Sequence, residues 1–492
     1  MTIPMAEASM SVVAQEEKIG HARKKRKLRF WAGVVMVLLG VAGLAWFYLF
    51  REVQTHYEAI EEQFKYASIG TEQKEGIPYW IWLVLPRVFA DHLPSPGGYT
   101  SFGFVWEAGR ETPIGFAKKT IGFPRIGVNC GLCHTATWRK RPDDSPEILL
   151  GAPSHQVDIQ AYQTFLFRTA GDPRFTADII LPAIDALTDL SLPDKLLYRY
   201  VLIPQTKKAL LKQKKQFDFF NKNPRQGHGR IDPFNPVKYR ILEMTEDGTI
   251  GNADMQSIWN QRGRAHQALH WDGMNPNLRE VVLSSAIGDG ATEKSIVLED
   301  LTRLESWISD LPAPKYPSPI KRALSERGST IFHAHCGSCH AVGSSRIGTV
   351  IPLSEIQTDG HRSAMWRQNS ADRYNAYIKN PSWKFQNFRA TEGYVAVPLD
   401  GIWARAPYLH NGSVPSLHDL LQNVEKRPTV FWRGNDVYDF DKVGFTSAVP
   451  KIEQAGFLYV TTEQGNANTG HPYGTGLPEE EKTALLEYLK TL

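Results

Sequence analysis

The chain has 492 residues, enough for several domains, and a formal net charge of +4. Residues 1–29 hold seven Lys/Arg against three Glu, which is the whole of that excess, so the remainder is formally neutral and offers no basic surface for nucleic acid. No phosphate loop, dinucleotide fingerprint after a strand or nucleophile elbow is present to suggest nucleotide-dependent or serine-hydrolase chemistry.

In chain order, the basic cluster Arg23, Lys24, Lys25, Arg26, Lys27 and Arg29 precedes an uncharged apolar run of 21 residues, 30–50. That length crosses a hydrocarbon core of about 30 Å as a helix. Aromatic residues gather at its ends, Phe30 and Trp31 at one and Trp46, Phe47, Tyr48 and Phe50 at the other, as in interfacial belts. The positive-inside rule puts 1–29 in the cytoplasm and everything after Arg51 outside. A cleaved signal would be shorter and end in small residues, whereas this run ends Ala45-Trp-Phe-Tyr-Leu-Phe50. The expectation is an uncleaved single-pass anchor in a bacterial inner membrane, with the soluble part in the periplasm and the bilayer as one partner.

Residues 51–75 read as a polar, partly helical stalk, and 76–122, rich in Gly, Pro and aromatics, as packed irregular loops. Residues 185–215 are mostly helical in pattern, and the basic run 207–215 reads as a solvated helix face. Residues 295–311 carry apolar side chains at helical spacing and close a first unit, 76–311. Four prolines in 312–319 break that helix and mark a linker. A second unit, 320–492, opens with an amphipathic helix over 320–332 and closes with a helix over 479–492. The expected fold class is mainly α: two cytochrome c-type domains with extensive coil, preceded by one N-terminal transmembrane helix.

All four cysteines fall in two Cys-x-x-Cys-His runs, Cys130-Gly-Leu-Cys133-His134 and Cys336-Gly-Ser-Cys339-His340. Such a run attaches a c-type haem. Each thiol bonds one porphyrin vinyl group, and the histidine that follows becomes the proximal iron ligand. A four-thiolate zinc site or two redox disulfides would use the same cysteines, but neither requires a histidine after both pairs. Two covalently attached c-type haems are therefore expected, with iron held by His134 and His340.

The sixth ligand decides what each haem does, because an open position permits chemistry on oxygen or peroxide. For the second haem the leading candidate is His410, held in a Pro- and Gly-punctuated loop over 401–417, with Met365 as its rival. For the first, His270 could ligate the iron or hydrogen-bond to a bound oxygen species, and Trp271 could carry electrons between the haems; a packed aromatic beside a hydrogen-bonded histidine reads equally well. His155, His228 and His471 have no spacing that implies a metal.

The attachment pairs, Trp271-Asp-Gly-Met-Asn275, the 401–417 loop and the closing run from Tyr473-Gly-Thr to Leu492 resemble the rubber-oxygenase-A-like branch of the dihaem cytochrome c peroxidase superfamily. The likeness covers about residues 76–492. It implies two cytochrome c domains facing each other, a reactive His134 haem, and an electron-transfer haem held by His340 and His410. The rubber-cleaving enzymes are longer and secreted, so the resemblance carries architecture and haem roles but not the substrate. It points to an oxidoreductase acting on peroxide or dioxygen, fed by a periplasmic or membrane redox partner. A pure electron carrier is the other reading, and a haem-based sensor a third.

Overall fold

The computed structural model describes residues 5–447 and 456–492. Residues 1–4 of the expected basic tail, residues 448–455 and the side chains of Tyr48, Leu49 and several residues early in the first helix lie outside the described set. The chain divides into two compact units.

The first unit comprises residues 1–53 and 120–124. Its main element is the helix Met5–Phe50, longer than the apolar run because Ala, Glu, Lys and Arg N-terminal to it are good helix formers. Within it Lys18–Phe47 is, among the described residues, the one segment long and apolar enough to cross a membrane, with a mean hydropathy of 2.1. Its apolar side chains, Phe30, Trp31, Met36 and Leu39 among them, are exposed.

The second unit comprises residues 54–119 and 125–492 and contains both Cys-x-x-Cys-His runs. Helices carry much of it, but fourteen short strands lie among the described residues of the chain, so the architecture is helix with considerable sheet and coil. Small antiparallel pairs recur: Thr135–Trp138 with Glu147–Leu150, Val350–Pro352 with Gly393–Val395, and Val430–Arg433 with Phe457–Val460.

Two cores are built from interleaved parts of the chain. One joins Phe64, Phe234, Met274, Leu283, Leu304 and Ile308 to Met365, Trp366, Tyr374 and Phe388, and Cys130 packs against it. The other joins Ala136, Trp138 and Trp259 to Ile331, Phe332, Trp403, Tyr408, Ala484 and Leu485, and Cys336 packs against it. Each core thus draws on both sides of the proline-rich 312–319 segment, which runs within one compact unit instead of separating two.

The second core shows the expected pair of helices, Arg322–His335 and Glu479–Leu489. They cross at Gly328, where a Cβ would stand 2.0 Å from the Ala484 carbonyl oxygen, so only glycine permits the approach. Phe332 and Tyr488 pack beside the crossing, ring centroids 5.1 Å apart.

The first core has a matching pair, and here the expected stalk is corrected. Residues 60–75 are packed inside the unit: Phe64 of the helix Ile60–Tyr66 meets Trp307 of the helix Leu298–Asp310 with centroids 5.0 Å apart, and Gln63 Nε2 donates to Asp300 O at 3.1 Å. Its apolar stripe is narrow between charged residues, and burial of Phe64 and Tyr66 decides its place. The expected loops of 76–122 also contain a helix, Tyr79–Val88, apolar nearly all round and therefore buried. Its Trp82 stacks on Tyr99 at 4.2 Å and donates its indole N–H to Tyr162 Oη at 2.9 Å.

Candidate haem and redox site

The first attachment run sits between strands. Asn129 caps the 3-10 turn Cys130–Leu132, accepting from Gly131 N at 2.9 Å while its own Nδ2 donates to Ala67 O at 2.9 Å. That bond ties the run to the end of the Ile60–Tyr66 helix. The second run continues from the helix Arg322–His335 into the short helix Gly337–His340. All four thiols are unpaired. Burial pushes the Cys130 thiol up to about 12 and the Cys336 thiol up to about 11.

The two histidines are held in the same way. His134 Nδ1 bonds the carbonyl oxygen of Gln256 at 2.8 Å, and His340 Nδ1 bonds that of Val397 at 2.9 Å. A carbonyl only accepts, so each Nδ1 carries the proton and each Nε2 keeps its lone pair for a metal. Burial lowers both pKa values, against the opposing effect of those hydrogen bonds, and keeps the rings neutral at pH 7, as ligation requires.

Beside His340 lies the ring of His471, at a centroid separation of 6.3 Å and an interplanar angle of 43°. His340 and His471 would be the residues on hand to hold a haem iron there. His471 has φ +48°, a left-handed conformation that a non-glycine residue adopts only when its surroundings hold it there.

The two ligands expected opposite His340, His410 and Met365, are both buried. His410 is buried and stacks on Tyr394 at 3.8 Å, and its carbonyl accepts from Asp254 N at 2.8 Å. Its Nε2 is buried without a partner. Burial first, then Arg362 and His361, hold its pKa down to about 3. Met365 is fully buried in the first core, and its carbonyl accepts from Lys238 Nζ at 3.1 Å.

His134 looks into a cavity of about 410 Å³, lined also by Cys130, Cys133, Phe234, His270 and Trp271. That size suits a bound cofactor or small molecule. His270 opens onto this cavity with its Nε2 unpartnered, and enclosure by protein, then Arg362 and Arg264, depress its pKa to about 3. It is a neutral imidazole at pH 7. Its φ of +64° and the edge of Phe234, 5.4 Å away, fix the ring.

Trp271 joins the two sites through hydrogen bonds. Its Nε1 donates to Asp254 O at 2.7 Å, and two residues further on Gln256 holds His134. Its own carbonyl accepts from Val395 N at 2.8 Å, and two residues further on Val397 holds His340. The path His134–Gln256–Asp254–Trp271–Val395–Val397–His340 is nearly symmetric about the indole.

Buried Arg362 and half-buried Arg264 and Arg405 each keep a guanidinium Nε without an acceptor. Arg362 pairs with Asp272 at 3.2 Å and lines the first cavity with Arg264, whereas Arg405 acts on His340. Burial pulls Arg264 and Arg405 down to about 10, so both remain cationic at pH 7. Arg264 also donates to Ala268 O at 3.2 Å and Arg405 to Pro398 O at 2.7 Å, which leaves N–H groups to spare; such guanidinium groups suit carboxylates, and a haem brings two propionates. Together the thiol pairs, oriented histidines, cavity and cations fit c-type haem. The arginines and His471 carry no local sequence signal; only the fold brings them to the histidines.

Residues 393–433 match the family described as RoxA-like, cytochrome c-like. That stretch contains Val395, Val397, Arg405, His410 and Arg433. It gives the chain a cytochrome c-like domain and implies covalently bound haem iron and redox function. The uncharacterized protein y4iJ of Sinorhizobium fredii (strain NBRC 101917 / NGR234) is 45% identical over 517 aligned positions, covering 80% of this chain and 84% of that one. The chain belongs to the y4iJ family. A second protein of the same strain, the uncharacterized protein y4iM, is 29% identical over 249 residues, 44% of this chain and 56% of that protein. The y4iJ likeness extends well beyond the cytochrome c-like segment, over most of the chain.

Proposed function

We propose that the protein is a membrane-anchored periplasmic oxidoreductase with two c-type haems, in which peroxide or dioxygen reacts at the His134 site with electrons relayed from the His340 side. The observation that carries this reading is the asymmetry of the two histidines: His340 has the ring of His471 beside it at 6.3 Å, whereas His134 looks into a cavity of about 410 Å³. Cys130 and Cys133 would hold one haem with His134 as ligand; Cys336 and Cys339 would hold the other between His340 and His471. The haem irons supply one-electron chemistry when bound.

The chain's own residues do the rest. The carbonyls of Gln256 and Val397 fix the tautomers of the proximal rings. His270, neutral because enclosure disfavours its cation, presents Nε2 to the cavity and can hold or release a proton there. Trp271 and its two backbone hydrogen bonds offer the route for electrons between the sites. Arg264, Arg362 and Arg405 would supply cationic partners for haem carboxylates. The apolar helix would hold the protein in the inner membrane, within reach of a membrane or periplasmic electron donor.

Absorption and electron paramagnetic resonance spectra of the purified holoprotein test this. One high-spin ferric haem that changes with cyanide or peroxide, beside one low-spin haem that does not, is expected. Two low-spin haems indifferent to both ligands, oxidised or half-reduced, would mean that His270 closes the first site and that the protein is an electron carrier.

A further inference from the structure

A continuous helical stretch runs from Leu192 to Gln216, made of the helix Leu192–Leu197, a π turn Tyr198–Leu202 and the helix Ile203–Gln216. One face is buried through Tyr198, Leu202, Ile203, Thr206 and Leu210. The outward row, taken in steps of four, reads Leu192, Leu196, Tyr200, Pro204, Lys208 and Lys212. Leu192 and Tyr200 are 71% exposed and Leu196 49%, and Ile179, Leu187 and Val201 nearby are also exposed. Large apolar side chains are rarely left together in water on a soluble surface.

The charges around the row divide in two. Beside the apolar half, Lys195 is paired with Asp185 at 3.1 Å and Arg199 with Asp178 at 2.6 Å. Beyond it, Lys208, Lys212, Lys214 and Lys215 are exposed and form no ion pair among the described residues. An apolar half followed by unpaired lysines on one outward face suits acyl chains and anionic headgroups. An acidic protein surface would satisfy the lysines but not three exposed apolar side chains in line with them.

We infer that this face of residues 192–215 rests in the interfacial layer of an anionic phospholipid bilayer, as a second membrane contact besides the apolar N-terminal helix. The inference rests on the anchored reading above, which supplies the bilayer. Gln213 and Phe217 at the end of the stretch line the His134 cavity from the inward side.

The test uses the full-length holoprotein in nanodiscs containing phosphatidylglycerol, spin-labelled at Leu196→Cys or, as a water-facing reference, at Val430→Cys. Collision with dissolved oxygen should exceed collision with a water-soluble nickel chelate at position 196 and fall below it at 430. Adding Lys208→Glu and Lys212→Glu should return the 196 label toward the water-facing ratio. A 196 label as wet as the 430 label, in protein that stays with the discs, overturns this inference alone; protein that never enters discs overturns the anchored reading with it. Protection at 196 that vanishes once each disc carries one copy would assign the face to a second chain and overturn the lipid contact.

Discussion

His340 and His471 stand ring to ring, 6.3 Å between centroids, although the backbone carbonyl that orients His340 belongs to Val397. Three separate stretches of chain therefore converge on one imidazole: the attachment run, the strand-end segment after Val395, and the loop before the closing helix. On the other side of Trp271, His134 has the same carbonyl support from Gln256 but opens onto a cavity. Equal support with unequal surroundings would let two attachment runs of the same Cys-x-x-Cys-His pattern do different work.

Replacing His471 separates the two candidate ligands. His471→Ala is expected to convert the low-spin ferric signal of the second haem to a high-spin or exogenously ligated one. His410→Ala should leave that signal unchanged, since His410 is stacked on Tyr394. Electron paramagnetic resonance of the two variants decides; a second haem that turns high-spin only in His410→Ala would restore the ligand expected from sequence.

Trp271→Phe keeps an aromatic ring, though a smaller one, and removes the indole N–H that bonds Asp254 O at 2.7 Å. Electron transfer from the second site to the first should slow by roughly tenfold or more, equivalent to about 1.4 kcal/mol of barrier, while both haem spectra keep their wild-type form. Rapid-mixing reduction followed at each haem band measures it. An unchanged rate would remove Trp271 from the route.

The attachment runs, the apolar segment and the helices around 295–311, 320–332 and 479–492 were legible in the sequence because each has a local signature in spacing or periodicity. His410 is buried in its Pro- and Gly-punctuated loop, where its carbonyl accepts from Asp254 N. Residues 60–75 read as a stalk because Glu61, Glu62 and Lys65 outweigh Phe64 locally; contact with Trp307 settles the matter. His471 was set aside because its function is a distance to His340, and sequence spacing does not encode a distance across a fold.

His155 gives a pH prediction. Its ring is buried against Phe445 at 3.6 Å with neither nitrogen bonded, and burial lowers its pKa to about 3. The unfolded state, with an ordinary value near 6.5, takes up a proton as pH falls, and the folded state does not until about pH 3. Stability from this group is therefore complete above about pH 6.5 and lost progressively toward pH 3. His155→Phe removes the proton-binding group and keeps the ring contact. It should gain roughly 2 kcal/mol relative to wild type on going from pH 7.5 to pH 5, read from denaturant midpoints at the two values; a difference independent of pH would contradict the assignment.

Gly328 sets the crossing of the helices that bracket the second attachment run. A Cβ there would stand 2.0 Å from Ala484 O and 2.8 Å from Tyr488 Cβ, and the carbonyl is backbone, so neither contact yields without separating the helices. Gly328→Ala should therefore cost roughly 1–3 kcal/mol despite the better helix propensity of alanine. Gly171→Ala, at a helix end where nothing lies within 4 Å of the added atom, should be neutral or slightly stabilising. Because Cys336 packs against the same core, loosening at Gly328 should also weaken the low-spin signal of the second haem before that of the first. Thermal melts followed at the two haem signals check both statements, and a Gly328→Ala protein as stable as Gly171→Ala would show that the helices do not meet there.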